Sequence, residues 1–286
     1  MQSVDEQGGL RMSGLRPIRY HGKFYPADPA VLIQSLNVYL KPQRVGLPTE
    51  PIKVAIIPHA GYAYSGRIAG LVYAGLQTQK ERIKRIVLLA PNHQFAHVGG
   101  LISAYEAFAS PLGAIPLDHD FIKTHWLPLE QLSLNDAAHD MEYSIEVQLP
   151  FIRYTLPDAT LAPLLLSSSG PETLQALLQA AWEDSATLIL ISSDLYHYLP
   201  RTQAIQRGMQ LSRTILEHRY TQIMPEDACG AIAINALSHF AHQNNSYWLN
   251  LATQHSQQTS AYPHDQVVGY GGFLLFMISN DHLSMK

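Results

Sequence analysis

Four short apolar runs stand out along the chain: KVAIIP (53–58), RIVLLAP (85–91), TLAPLLL (160–166) and ATLILISSD (186–194). Each is rich in Val, Ile and Leu without strict alternation, the pattern of strands covered on both faces. A fifth run, QVVGYGGFLLFMI (266–278), predicts another strand, with a bend or bulge at Gly271 and Gly272. Between these runs the apolar period lengthens to that of helices. Asp28 and Pro29 supply an N-cap and a first helical residue for DPAVLIQSLNVYL. Ile68, Val72 and Leu76 recur at helical spacing within 66–79, Ile205, Met209 and Leu216 within 201–217, and Ile232, Ala236, Leu237 and Phe240 within 229–242. Strands alternating with helices predict a three-layer α/β/α fold with a largely parallel or mixed central sheet. Segment 97–150 breaks the rhythm and reads as a hairpin or loops inserted near one edge.

Composition narrows the class. With 286 residues and no run that reads as a linker, one domain is expected over 19–286, after a mobile N-terminal tail at 1–18. A net charge of −4, without a compensating basic run, offers no footprint for nucleic acid or an anionic membrane. No apolar stretch nears the roughly 20 residues of a transmembrane helix, and the acidic N-terminus lacks the apolar core of a secretory signal. The single cysteine, Cys229, excludes an intramolecular disulfide and fits a reducing cytoplasm.

The polar residues that follow the apolar runs carry the chemistry. His59 follows the first run, His93 the second, and Asp194 and His197 the fourth. In open α/β sheets ligands bind beyond the carboxyl ends of the strands, so three strand ends are expected to converge on one edge. Cys229 and Gly230 precede a predicted helix, whose positive end favours a thiolate. Two imidazoles and a thiolate suit zinc, iron or copper, although no HExxH or CxxC spacing is present. Each residue also has an ordinary reading: a loop histidine, a buried thiol, a turn-capping aspartate. An acid–base pair of Asp194 and His197 with Ser65 or Ser144 as nucleophile is disfavoured by the lack of a G-x-S-x-G elbow. HAGYAYSGR matches neither a dinucleotide fingerprint nor a P-loop. Tyr62, Tyr64, Tyr196 and Tyr198 flank the candidate ligands, as pocket walls or as loop packing.

The ordered motifs FYPADP (24–29), PHAGYAYSG (58–66), PNH (91–93), SPLG (110–113), EYSIEVQLPF (142–151), SSDLYHY (192–198), ACG (228–230) and VVGY (267–270) resemble those of the Memo family. The resemblance runs from Tyr20 to Phe276 and implies a fold akin to class III extradiol dioxygenases. It implies His59, His93 and Cys229 as metal ligands, with iron or copper as the metal. It also sets Asp194 and His197 in the same pocket, and matches His139 and Glu142 to an H-x-x-E-H-S element. The chain departs from the family pattern at Tyr143, where the family has histidine, at Asn92, where it has serine, and at His21.

The expected function is therefore a metal-dependent redox enzyme, with iron first and copper or zinc as alternatives. Asp194, His197, His139 and Glu142 are its candidate acid–base or pocket residues, and Tyr62, Tyr64, Asn92 and Tyr198 its candidate substrate contacts. Two alternatives stand beside it: a peptide- or partner-binding adaptor, as some eukaryotic family members are described, and a zinc-dependent hydrolase. By family association, a radical SAM protein and an AMMECR-type protein are expected partners, beside a small-molecule or peptide substrate.

Overall fold

The structure, a computed structural model, describes residues 14–41, 46–95, 97–167, 171–219, 222–259 and 265–278. Eight strands form the main sheet: β1 (Ile52–Ile57), β2 (Arg85–Pro91), β3 (Gly100–Ile102), β4 (Leu132–Leu134), β5 (Thr160–Leu166), β6 (Thr187–Ser192), β7 (Ser246–His255) and β8 (Gly269–Met277). Their order across the sheet is β7-β8-β1-β6-β2-β5-β3-β4. The central four, β1, β6, β2 and β5, are parallel, and β8 and β3 flank them antiparallel. The sheet is thus mixed, with a parallel centre.

Every residue of β1 and β6 is buried, because both faces of the sheet are covered. Val54 and Ile56 point into one core with Val87, Leu89, Ile189 and Ile191; Ala55 and Ile57 point into the other with Ile86, Leu88, Leu188 and Leu190. Period-2 alternation therefore divides one apolar strand between two apolar layers.

Helices α1 (Pro29–Tyr39) and α2 (Tyr62–Gln77), with short helices α3 (Asp136–Met141), α4 (Tyr143–Glu146) and α5 (Leu149–Thr155), cover one side. Helices α6 (Pro171–Glu183), α7 (Arg201–Leu216) and α8 (Ala231–Gln243) cover the other. Asp28 caps α1 as expected, accepting from Ala30 N–H at 2.8 Å and Val31 N–H at 3.0 Å. Gly70 of α2 lets that helix approach α1, since a Cβ there would lie 2.3 Å from the carbonyl oxygen of Tyr39.

Three features depart from the sequence reading. Strand β7 and helix α6 were not among the expected elements. Segment 97–150 does hold a hairpin, Ala107–Phe108 with Ile115–Pro116, but it also supplies β3 and β4 to the sheet edge and helices α3 and α4. The expected tail is folded from residue 14: Leu15–Arg16 pairs with Ala107–Phe108, and Arg16 is fully buried. The remainder of that tail, 1–13, lies outside the described residues. No helix among the described residues is long and apolar enough to cross a membrane.

Candidate metal centre

Strand β6 lies between β1 and β2, with Ile57 level with Ser192. Their carboxyl ends therefore release His59, Asp194 and His93 side by side, and the start of α8 brings Cys229 to the same place. Ligand atoms of His59, His93 and Cys229 all lie within 4.8 Å of one another.

His59 is 1% exposed. Its backbone N–H donates to Asp194 Oδ1 at 2.8 Å, and its Nδ1 lies 3.1 Å from Ser192 Oγ. Its Nε2 is buried without a hydrogen-bond partner. Burial, and then repulsion by a charged His93, push this imidazole down to about 3, so it is neutral near pH 7. The 4.0 Å approach of Nε2 to Asp194 Oδ2 is accordingly not an ion pair.

His93 is held by Glu142. The backbone N–H of His93 donates to Oε2 at 2.8 Å, and its Nδ1 lies 3.0 Å from Oε1, which also accepts from Ser144 N–H at 3.0 Å. Burial alone would raise the Glu142 carboxyl; these hydrogen bonds and the His93 charge outweigh it and hold the group below its usual range. An ionised carboxylate on Nδ1 leaves His93 Nε2 for another partner, the arrangement that orients metal-ligating histidines.

Cys229 Sγ lies 3.7 Å from His197 Nε2, and Cys229 N–H donates to Asp194 O at 3.1 Å. The helix start does not give the thiolate expected from sequence: burial, and then the Asp194 carboxylate, push the thiol up to about 12. A bound cation would have to displace its proton. Asp194, 5% exposed, is raised by burial to about 6, and burial lowers His197. A neutral imidazole with an orphaned buried nitrogen, a carboxylate-oriented imidazole and a nearby thiol together fit a borderline-soft metal such as iron, copper or zinc.

A family model, Memo (Memo-like protein), matches residues 16–274. The chain belongs to the Memo family. A MEMO1 family protein of Archaeoglobus fulgidus is 33% identical over 191 residues, covering 65% of this chain and 69% of its own. One from Saccharolobus islandicus is 29% identical over 275 residues, covering 87% and 95%. An uncharacterized protein of Escherichia coli K12 superposes with a TM-score of 0.49 at 12% identity, over 79% of this chain and 99% of its own.

The other residues that the Memo resemblance singled out separate into two groups. Asp194, His197 and Glu142 stand around the cluster, as described. His139 does not: it is fully buried, its Nε2 lies 3.0 Å from Leu101 O, and its ring packs edge-on to Phe108 at 5.7 Å. It braces α3 against β3. Tyr62, expected as a substrate contact, is 3% exposed and donates to Val147 O at 2.9 Å, packed beside Tyr25 and Phe151 in the core. Asn92 donates to Phe95 O at 2.8 Å and Ser167 Oγ at 3.1 Å, and accepts from Phe95 N–H at 3.0 Å. Its amide shapes the loop bearing His93. Ser65 and Ser144, the nucleophiles weighed for a hydrolase, donate to Ala60 O at 2.7 Å and Pro91 O at 3.3 Å.

Tyr64 and Tyr198 do line a cavity of about 800 Å³, together with Tyr270 and Asp265. Tyr198 is 69% exposed and sits at φ +54°, a left-handed conformation uncommon outside glycine. Burial, then the Asp194 carboxylate, raise the Tyr270 phenol.

Tyr143 has a role the sequence reading missed. Its ring stacks on His93 at 5.1 Å with planes 6° apart, meets His59 edge-on at 5.6 Å, and is backed by Phe24 at 4.7 Å. Burial, then Asp194 and Cys229, hold its phenol protonated well above neutrality. The Tyr143 phenol thus packs both imidazoles as a neutral wall.

Burial pushes His139 down to about 4. The folded protein keeps it neutral while the unfolded chain takes up a proton below about 6.5. Stability is therefore lost as pH falls from 6.5 toward 4, by about 2 kcal/mol from this residue at pH 5. Urea unfolding at pH 7 and pH 5 checks this: His139→Gln should flatten the pH dependence by that amount, and an unchanged dependence would exclude His139 as its source.

Proposed function

We propose that the chain is a metal-dependent redox enzyme of the Memo family, with a non-haem centre on His59, His93 and Cys229 and iron as its metal. The observation that carries this reading is the partnerless Nε2 of buried His59, a residue that offers a ligand atom within 4.8 Å of those of His93 and Cys229. Two imidazoles and one thiolate would leave coordination positions free, and iron held there would supply one-electron chemistry.

The chain's own residues would prepare that chemistry. Glu142 orients His93. Asp194, raised to about 6, and His197, lowered by burial, can hold or pass a proton beside Cys229. Tyr143 closes the imidazole side against water, and Tyr64 and Tyr198 wall the space for a small-molecule or peptide substrate.

Anaerobic purification, loading with Fe(II), Cu(II) or Zn(II), and elemental analysis test the reading. About one iron per chain is expected, accompanied by oxygen uptake when substrates are screened. Metal well below one equivalent, unchanged by His59→Ala, would exclude a metal function. Preferential zinc uptake with ester or amide hydrolysis and no oxygen uptake would favour the hydrolase instead.

A further inference from the structure

We infer that Ser192 and Gln148 are positioning residues that fix His59 as its Nδ1–H tautomer, so that Nε2 carries a lone pair toward the cluster. The consequence for metal binding rests on the function proposed above; the tautomer itself follows from hydrogen-bond bookkeeping among buried groups.

Gln148, 1% exposed, places Nε2 3.0 Å from Pro58 O and 3.0 Å from Ser192 Oγ. Pro58 O can only accept, so the amide nitrogen must face it, and both its hydrogens are assigned. Gln148 Oε1 accepts from Tyr73 O–H at 3.0 Å, which fixes the same orientation from the other end. Ser192 Oγ therefore receives a hydrogen from Gln148. Its own hydrogen goes to Ser144 O, 2.7 Å away, another group that can only accept. What remains on Ser192 Oγ for His59 Nδ1, at 3.1 Å, is a lone pair. A neutral imidazole that donates from Nδ1 is unprotonated at Nε2, and that atom has no hydrogen-bond partner.

The chain Tyr73–Gln148–Ser192–His59 thus runs from the core of α2 to the cluster through fully committed groups. It parallels the pairing of Glu142 with His93, but with a hydroxyl in place of a carboxylate. His59 is oriented without added charge, and the donor set keeps the thiol as its anionic member. Glu142, Ser144 and Gln148 all belong to the single motif EYSIEVQ, so one short segment orients both histidines.

Long-range proton–nitrogen NMR of the metal-free protein labelled with ¹⁵N-histidine, with the His59 signals assigned by His59→Asn, reads the tautomer directly. The unaltered protein should show His59 as Nδ1–H alone. Ser192→Ala, and to a lesser degree Gln148→Met, should show a mixture and bind Co(II) about 10- to 100-fold more weakly. An Nε2–H tautomer in the unaltered protein would overturn the inference, as would a Ser192→Ala protein unchanged in both tautomer and affinity. If Ser192→Ala does not fold, the unaltered spectrum and Gln148→Met still decide. A tautomer that shifts as expected while neither protein binds Co(II) upholds the inference and excludes the metal function.

Discussion

Cys229→Ala protein is expected to bind Co(II) at least about 100-fold more weakly than the unaltered chain, the upper end of what losing a mere supporting partner costs. The sulfur-to-metal charge-transfer absorption should vanish with it. Cys229 is the sole thiol, so this absorption has no other source in the chain. With the thiol pushed up to about 12, metal binding must expel its proton at every ordinary pH. The affinity of the unaltered protein should therefore rise about tenfold per pH unit from this residue, and Cys229→Ala should lose that slope. Equal affinities and equal slopes in titrations at pH 6.5 and 7.5 would remove Cys229 from the ligand set.

Glu146→Ala should cost about 3–5 kcal/mol of stability, the range for leaving a buried charge without its partner. Arg16 and Glu146 are both fully buried, with Arg16 Nη1 2.7 Å from Oε2. The same carboxylate accepts from Tyr20 N–H at 2.7 Å, Tyr25 O–H at 2.8 Å and Arg19 N–H at 3.1 Å. Arg16 in turn donates from Nε to His139 O at 2.8 Å. Glu146 is thus where the N-terminal strand is fastened to the segment that orients the ligand histidines. Replacing both members by apolar residues, Arg16→Met with Glu146→Leu, should cost less than Glu146→Ala alone, since no unpaired charge remains. Urea unfolding of the three proteins checks this; a loss below about 1 kcal/mol for Glu146→Ala would mean that water or another group replaces the carboxylate.

The two predictions meet in EYSIEVQLPF. As sequence, this stretch offered one glutamate matched to a family element and one tyrosine out of pattern. Folded, Glu142 holds His93, Tyr143 packs both imidazoles, and Glu146 anchors Arg16. None of these roles has a local sequence signature. Each partner lies far along the chain, 49 residues away for the Glu142–His93 pair and 130 for Glu146–Arg16.

By itself the sequence determined the buried centre of the sheet and the strand ends that carry the histidines and Asp194. Unbroken Val, Ile and Leu runs bury two faces at once, and few other structures satisfy that pattern. Asp28 followed by Pro29 set the start of α1 for an equally local reason. Tertiary structure decided the rest. Strand β7 went unread because SYWLNLATQH lies at the sheet edge, mostly half-buried, and mixes polar with apolar positions. His139 and Tyr62 sat among candidate site residues in the chain but turned into the core, because burial depends on neighbours that sequence spacing does not reveal. The thiol of Cys229 shows the same division: its place before α8 argued for a thiolate, while desolvation and the Asp194 carboxylate, assembled only by folding, keep it protonated.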